Sequence, residues 1–154
     1  MNKKTNTLLG LASAILAIVA IFVLFSTAFG NEAGDPSVRG NVFGIMFGTG
    51  ETNRNLVPGL IAAFALLLAG TLTSLITALI KGKGAMIGFA LTLVLLGVAG
   101  TLFILGPSFY ISSNYVTSDL KDQISLGTGL ICAVTFSYAG ALLSLYGAYS
   151  SFKN

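Results

Sequence analysis

The chain has no histidine and no tryptophan, a single cysteine, and only eight basic and five acidic side chains among 154 residues. Each scarcity excludes something. Without histidine the commonest general base, the usual neutral metal ligand and the physiological pH switch are gone together. One cysteine, Cys132, rules out a disulfide within the chain. Without tryptophan, any aromatic belt at a membrane surface must be built from Tyr and Phe. Charged residues make up 8% of the sequence, against roughly 25% in a soluble domain. So few charges cannot cover a water-facing surface, and lipid is the expected solvent for most of the chain. The basic residues stand in ones and twos at the ends of apolar runs, the placement of topology signals rather than of a nucleic-acid patch.

What the sequence has instead is long apolar runs. A stretch of about 18 or more residues without charge reads as a transmembrane helix. Four qualify, at 7–29, 57–80, 84–105 and 124–149, and none holds a charged residue. The first follows Lys3 and Lys4 and has a small-residue site at Ala28–Gly30, the pattern of a cleaved leader. A leader's apolar core is about 7–15 residues, and this run is longer, which favours a retained span. Pro58 falls in the first turn of the second span, where its missing N–H costs nothing. Gly106 and Pro107 read as a left-handed cap and a stop for the third. Lys81, Gly82 and Lys83 make a tight hairpin between spans two and three.

Loop charge sets an expected orientation. Lys3, Lys4, Lys81, Lys83 and Lys153 share one side with no acid; Arg39, Arg54 and Lys121 share the other with Glu32, Asp35, Glu51, Asp119 and Asp122. The positive-inside rule then places both termini in the cytoplasm of a multi-pass cell-membrane protein. Tyr146, Tyr149 and Phe152 fit an inner belt, and Phe22, Phe25 and Phe29 an outer one.

The expected fold is all-α: one domain, residues 1–154, an antiparallel four-transmembrane-helix bundle with a small ordered extracellular cap from loops 30–56 and 107–123. The first loop carries an apolar, glycine-broken segment at 42–47. It could cap the helices, pair as a short strand with 108–116 in a β-hairpin, lie in the interface as a helix, or dock a partner. Fully exposing a large apolar side chain forgoes about 1.5–3 kcal/mol, so Phe43, Ile45, Met46 and Phe47 are expected to be buried, with Phe109, Tyr110 and Tyr115 as the receiving surface. Thr117 or Ser118, followed by Asp119 and Asp122, reads as the start of the fourth helix, extended beyond the membrane.

Within the spans, small residues recur at helical spacing. Gly129, Ala133, Ser137 and Ala141 form one stripe of span four, and Gly140, Ser144 and Ala148 an adjoining one; span one has Ser13, Ala14, Ala17 and Ala20, and span three has Gly88, Gly97 and Gly100. Such stripes let helices approach closely in lipid. They serve packing within the chain or oligomerisation. Thr71, Thr73, Ser74, Thr77, Thr92, Thr101, Thr128, Thr135 and Tyr138 either bond upstream carbonyls or line a conduit. No ionisable residue lies in a span, which disfavours ion-coupled transport. Asp119, Asp122 and Glu51 are too few for calcium; an ion pair from Arg54 to either aspartate ranks above a metal and would contribute little if exposed. No base accompanies the serines and no phosphate loop is present, so no enzyme, cofactor or metal is expected. Cys132 reads as a small buried apolar residue.

The layout of inward termini, longer first and shorter second outer loop resembles tetraspan families such as the claudins, in topology alone. The claudin first loop carries a Trp-containing motif and a cysteine pair that this sequence lacks, so no residue role transfers. The expected function is a structural or accessory subunit associating with itself or a membrane partner; the alternative is a passive pore or small-solute carrier lined by the Thr and Ser of spans two to four. The expected partners are the bilayer and another membrane protein or copy, with no nucleic acid.

Overall fold

A computed structural model of the chain describes residues 3–31, 39–49, 55–116 and 118–152. In order the elements are α1 (Lys3–Val23), β1 (Phe29–Asn31), α2 (Val42–Met46), α3 (Pro58–Leu79), α4 (Lys83–Ile104), α5 (Gly106–Asn114), α6 (Ser118–Lys121), β2 (Ile124–Leu126) and α7 (Thr128–Phe152). The chain is thus mostly helical, and α1, α3, α4 and α7 are each long and apolar enough to cross a membrane. The small sheet pairs β1 with β2 antiparallel, Phe29 opposite Leu126 and Asn31 opposite Ile124.

The four long helices form a closed ring. Each packs along its two neighbours, α1 on α3, α3 on α4, α4 on α7 and α7 on α1. Cross-contacts fix the directions. Thr7 near the start of α1 bonds Ala78 near the end of α3, Gly88 of α4 lies on Thr77 of α3, and Gly147 of α7 lies on Phe89 of α4. Ser13 of α1 bonds Gly140 of α7. All neighbours are therefore antiparallel. Leu24, Leu60, Leu67, Leu96, Phe103 and Leu130 are wholly buried at the centre. Leu8, Ile15, Leu72, Ile76, Leu79, Ile87, Val94 and Leu142 face outward, an apolar exterior far beyond what a soluble monomer shows.

Punctuation explains the ends. Pro58 takes the first position of α3. Gly82, at φ +63°, turns the α3–α4 hairpin where a side chain would be strained. Other expectations change. The first long helix stops at Val23 rather than 29. Its last N–H groups tighten onto carbonyls three residues back, Ser26 to Val23 at 3.0 Å. The carbonyls of Leu24 and Ser26 are then free to receive Phe43 and Val42 of α2. The fourth helix starts at Thr128, not Ser118 or Ile124. Ser118–Lys121 is only one turn, and Ile124–Leu126 is drawn into the sheet. Gly127 and Gly129 donate to the carbonyls of Ala28 and Thr27 at 2.8 and 2.7 Å, an approach so close that a Cβ on either would strike backbone.

Gly106 is not a left-handed cap. It is the first residue of α5, with Pro107 in that helix's first turn. Its missing side chain makes room: a Cβ would lie 3.0 Å from Leu130 and 3.2 Å from Leu60. The left-handed residue is Tyr115, at φ 51°, closing α5. Nor do 42–47 and 108–116 pair as strands, because both are helical. The Asn41 side chain accepts from the Gly44 N–H at 2.6 Å and nucleates α2; Pro107 does the same for α5.

Candidate functional site

Two places hold the residues singled out in the sequence: the cap at the loop end of the ring, and the polar seam between the helices.

In the cap, Val42, Ile45 and Met46 are fully buried. The N–H of Val57 donates to Met46 O at 3.1 Å, tying α2 to the start of α3. Phe43 is half-buried within an aromatic cluster: Phe25 stacks on it at 5.3 Å, Phe64 meets it edge-on at 5.4 Å and Phe47 lies tilted at 5.0 Å. Phe47 differs from expectation and remains 36% exposed. The receiving surface also differs. Phe25 and Phe64 take Phe43, whereas Tyr110 is buried against Phe29 at 5.1 Å, Phe109 sits on Gly59, and Tyr115 is 87% exposed. The cause is the helical form of α2 and α5, which turns their side chains toward α3 and the segment after α1 instead of onto each other. Asn55 bridges the gap, donating from its side chain to Ser113 O at 2.8 Å and from its backbone N–H to Asn114 Oδ1 at 2.9 Å.

In the seam, Gly129, Ala133, Ser137, Ala141, Gly140 and Ser144 are all buried inside the single chain. A Cβ on Gly140 would meet Leu96 at 2.9 Å, one on Gly129 the Ser26 carbonyl at 2.8 Å, and one on Gly10 of α1 would meet Ala78 at 2.8 Å. The stripe thus lies where α7 packs against its neighbours within the chain. Ser13 Oγ donates to Gly140 O at 2.9 Å and lies 3.0 Å from Ser144 Oγ. Ser74 donates across to Gly10 O at 2.9 Å. The hydroxyls of Thr71, Thr73, Thr77, Thr92, Thr101 and Thr135 each donate to the carbonyl four residues upstream, at 2.7–3.0 Å. Tyr138 OH lies 2.9 Å from Thr101 Oγ1, its ring laid over Gly100. Among the described residues, Ser137 Oγ, Ser151 Oγ and Asn6 Oδ1 are buried without a hydrogen-bond partner.

Cys132 is half-buried. Asp119 lies on α6 and Asp122 just after it, both exposed. Glu51 and Arg54, and hence the expected ion pair with either aspartate, fall outside the described residues, as does Thr117. Sequence reasoning missed the Phe25–Phe43–Phe64 cluster and the Ser13–Gly140 clamp. The first had a signal in Asn41 three residues before Gly44, a helix cap that places Phe43 on the α1 side. The second had none, since any of several stripes could have faced α1.

This geometry defines a class rather than a family: a four-helix chain suited to spanning a membrane, closed at one end by a helical cap and a two-stranded sheet. No protein-family model, curated protein or solved structure matches the chain.

Proposed function

We propose that this protein is a non-enzymatic structural or accessory subunit of the cell membrane, with both termini cytoplasmic and the cap outside, acting by association with a membrane partner or with itself. The observation that carries the reading is how the chain spends its own polar and small groups. The hydroxyls of Thr71, Thr73, Thr77, Thr92, Thr101 and Thr135 are bonded to their own helices, and the small-residue stripes are in contact across the ring. Ile45 and Met46 are sealed into the cap. Hydroxyls satisfied in this way have little left to offer a passing solute, which weighs against a pore. Association then falls to the outer helix faces and to the exposed rim of the cap, where Leu56, Phe47 and Tyr115 stand.

The test is extraction from native membranes with the surrounding lipid retained, followed by mass measurement of the intact particle and solute-flux assays in liposomes. The expected particle holds two copies of the chain, or the chain with a second membrane protein in fixed ratio, and passes no solute; a lone chain would contradict the reading. A ring of several copies that conducts small solutes would replace this reading with the pore.

A further inference from the structure

We propose that the end of the bundle opposite the cap is a docking surface for anionic phospholipid headgroups, centred on Lys4, Lys81 and Lys83. The proposal starts from heights along the ring. Thr7 Oγ1 donates to Ala78 O at 3.0 Å, so those residues lie level on α1 and α3. Lys4 and Lys81 each follow three residues further toward the same end, and both are exposed. On the opposite side of the ring Gly147 lies against Phe89. Lys83 and Phe152 extend beyond that contact by six and five residues, and both are exposed. The three ammonium groups thus emerge in one layer from three corners of the ring. Among the described residues no acid lies at this end, whereas Asp119 and Asp122 lie at the other.

A second observation locates the headgroup layer independently of charge. Tyr146, Tyr149 and Phe152 run along one outward line at the end of α7 and are 58%, 55% and 76% exposed. Aromatic side chains displayed on the outside of a membrane helix mark the level of the headgroups. That level coincides with the lysine layer. Lysine stems lie along apolar surface and lift the charge to the interface, where each lysine near an anionic surface adds about fivefold to the attraction. The occupant these features fit is a lipid bearing a negative phosphate, held at the membrane surface by its acyl chains.

The experiment uses the purified full chain, alone, in equimolar phosphatidylcholine and phosphatidylglycerol nanodiscs, with retained lipids counted by native mass spectrometry. Wild type is expected to retain phosphatidylglycerol several-fold over phosphatidylcholine, the excess shrinking in high salt. K4Q/K81Q/K83Q should bring retention down to near the bulk ratio. The charge-preserving K4R/K81R/K83R should keep it, as should D119N/D122N at the other end. Matching thermal melts check that the variants are folded. Retention at the bulk ratio in wild type, or an undiminished excess in the Gln variant, would overturn the proposal. So would full displacement by millimolar inorganic phosphate, which would mark a soluble-anion site. Because no second protein is present, the result stands apart from whether the chain is an accessory subunit.

Discussion

At the scale of single residues, neighbours in sequence carry very different loads. Met46 and Phe47 are adjacent, yet one is fully buried and the other sits at the rim of an aromatic cluster. Met46→Ala removes a fully buried side chain and should cost about 2–5 kcal/mol. Phe47→Ala loses chiefly its tilted contact with Phe43 and should cost about 1 kcal/mol. Thermal melts in one detergent rank the two, and a larger loss for Phe47→Ala would mean the cap is packed differently. The hydrophobic argument on the sequence correctly expected Ile45 and Met46 to be buried, because apolar side chains near water seek cover. It could not separate them from Phe47, because a helix of five residues turns one side of itself away from the bundle whatever its composition. The partners of Phe43 were equally hidden: distance in sequence says nothing about which ring lies across the gap.

Among elements, the long helices were legible and their ends were not. Uninterrupted apolar runs mark α1, α3, α4 and α7 because lipid demands internal backbone pairing over about 20 residues. Boundaries shifted where tertiary pairing overrode hydropathy. Ala28 and Phe29 look like span, yet their backbone is taken by Gly127 and β2, and Ile124–Leu126 is apolar enough to be span but pairs as strand. The stripes were legible as close-packing surfaces, though not which helix each would meet. Their glycines now separate into two kinds. Gly129→Val places a side chain against the carbonyls of Ser26 and Thr27 at 2.8–2.9 Å, where backbone cannot yield, and should cost several kcal/mol or block folding. Gly97 has nothing within 4 Å of its would-be Cβ. Gly97→Ala should be neutral or raise stability by up to about 1 kcal/mol through the better helix former. Paired melts read this contrast; a destabilised Gly97→Ala would reveal a contact at that face, as between two copies of the chain.

For the whole molecule, the central claim is a ring of four antiparallel membrane helices with a charged collar of lysines at one end and a folded cap at the other. Gross topology follows from the number of spans, since an even number returns the chain to the side on which it began. The bundle's exterior is apolar and its interior is packed with small and aliphatic residues, so lipid on the outside and close contact within are two halves of one arrangement. The measurement that reaches this claim most directly is labelling with a membrane-impermeant thiol reagent in intact cells and in lysed ones. Single cysteines are placed at Lys81 and at Asp119, both exposed and at opposite ends of the ring, in a Cys132→Ala background. Asp119→Cys should react in intact cells and Lys81→Cys only after lysis. Equal labelling of both in intact cells, or labelling of Lys81→Cys alone, would contradict the account.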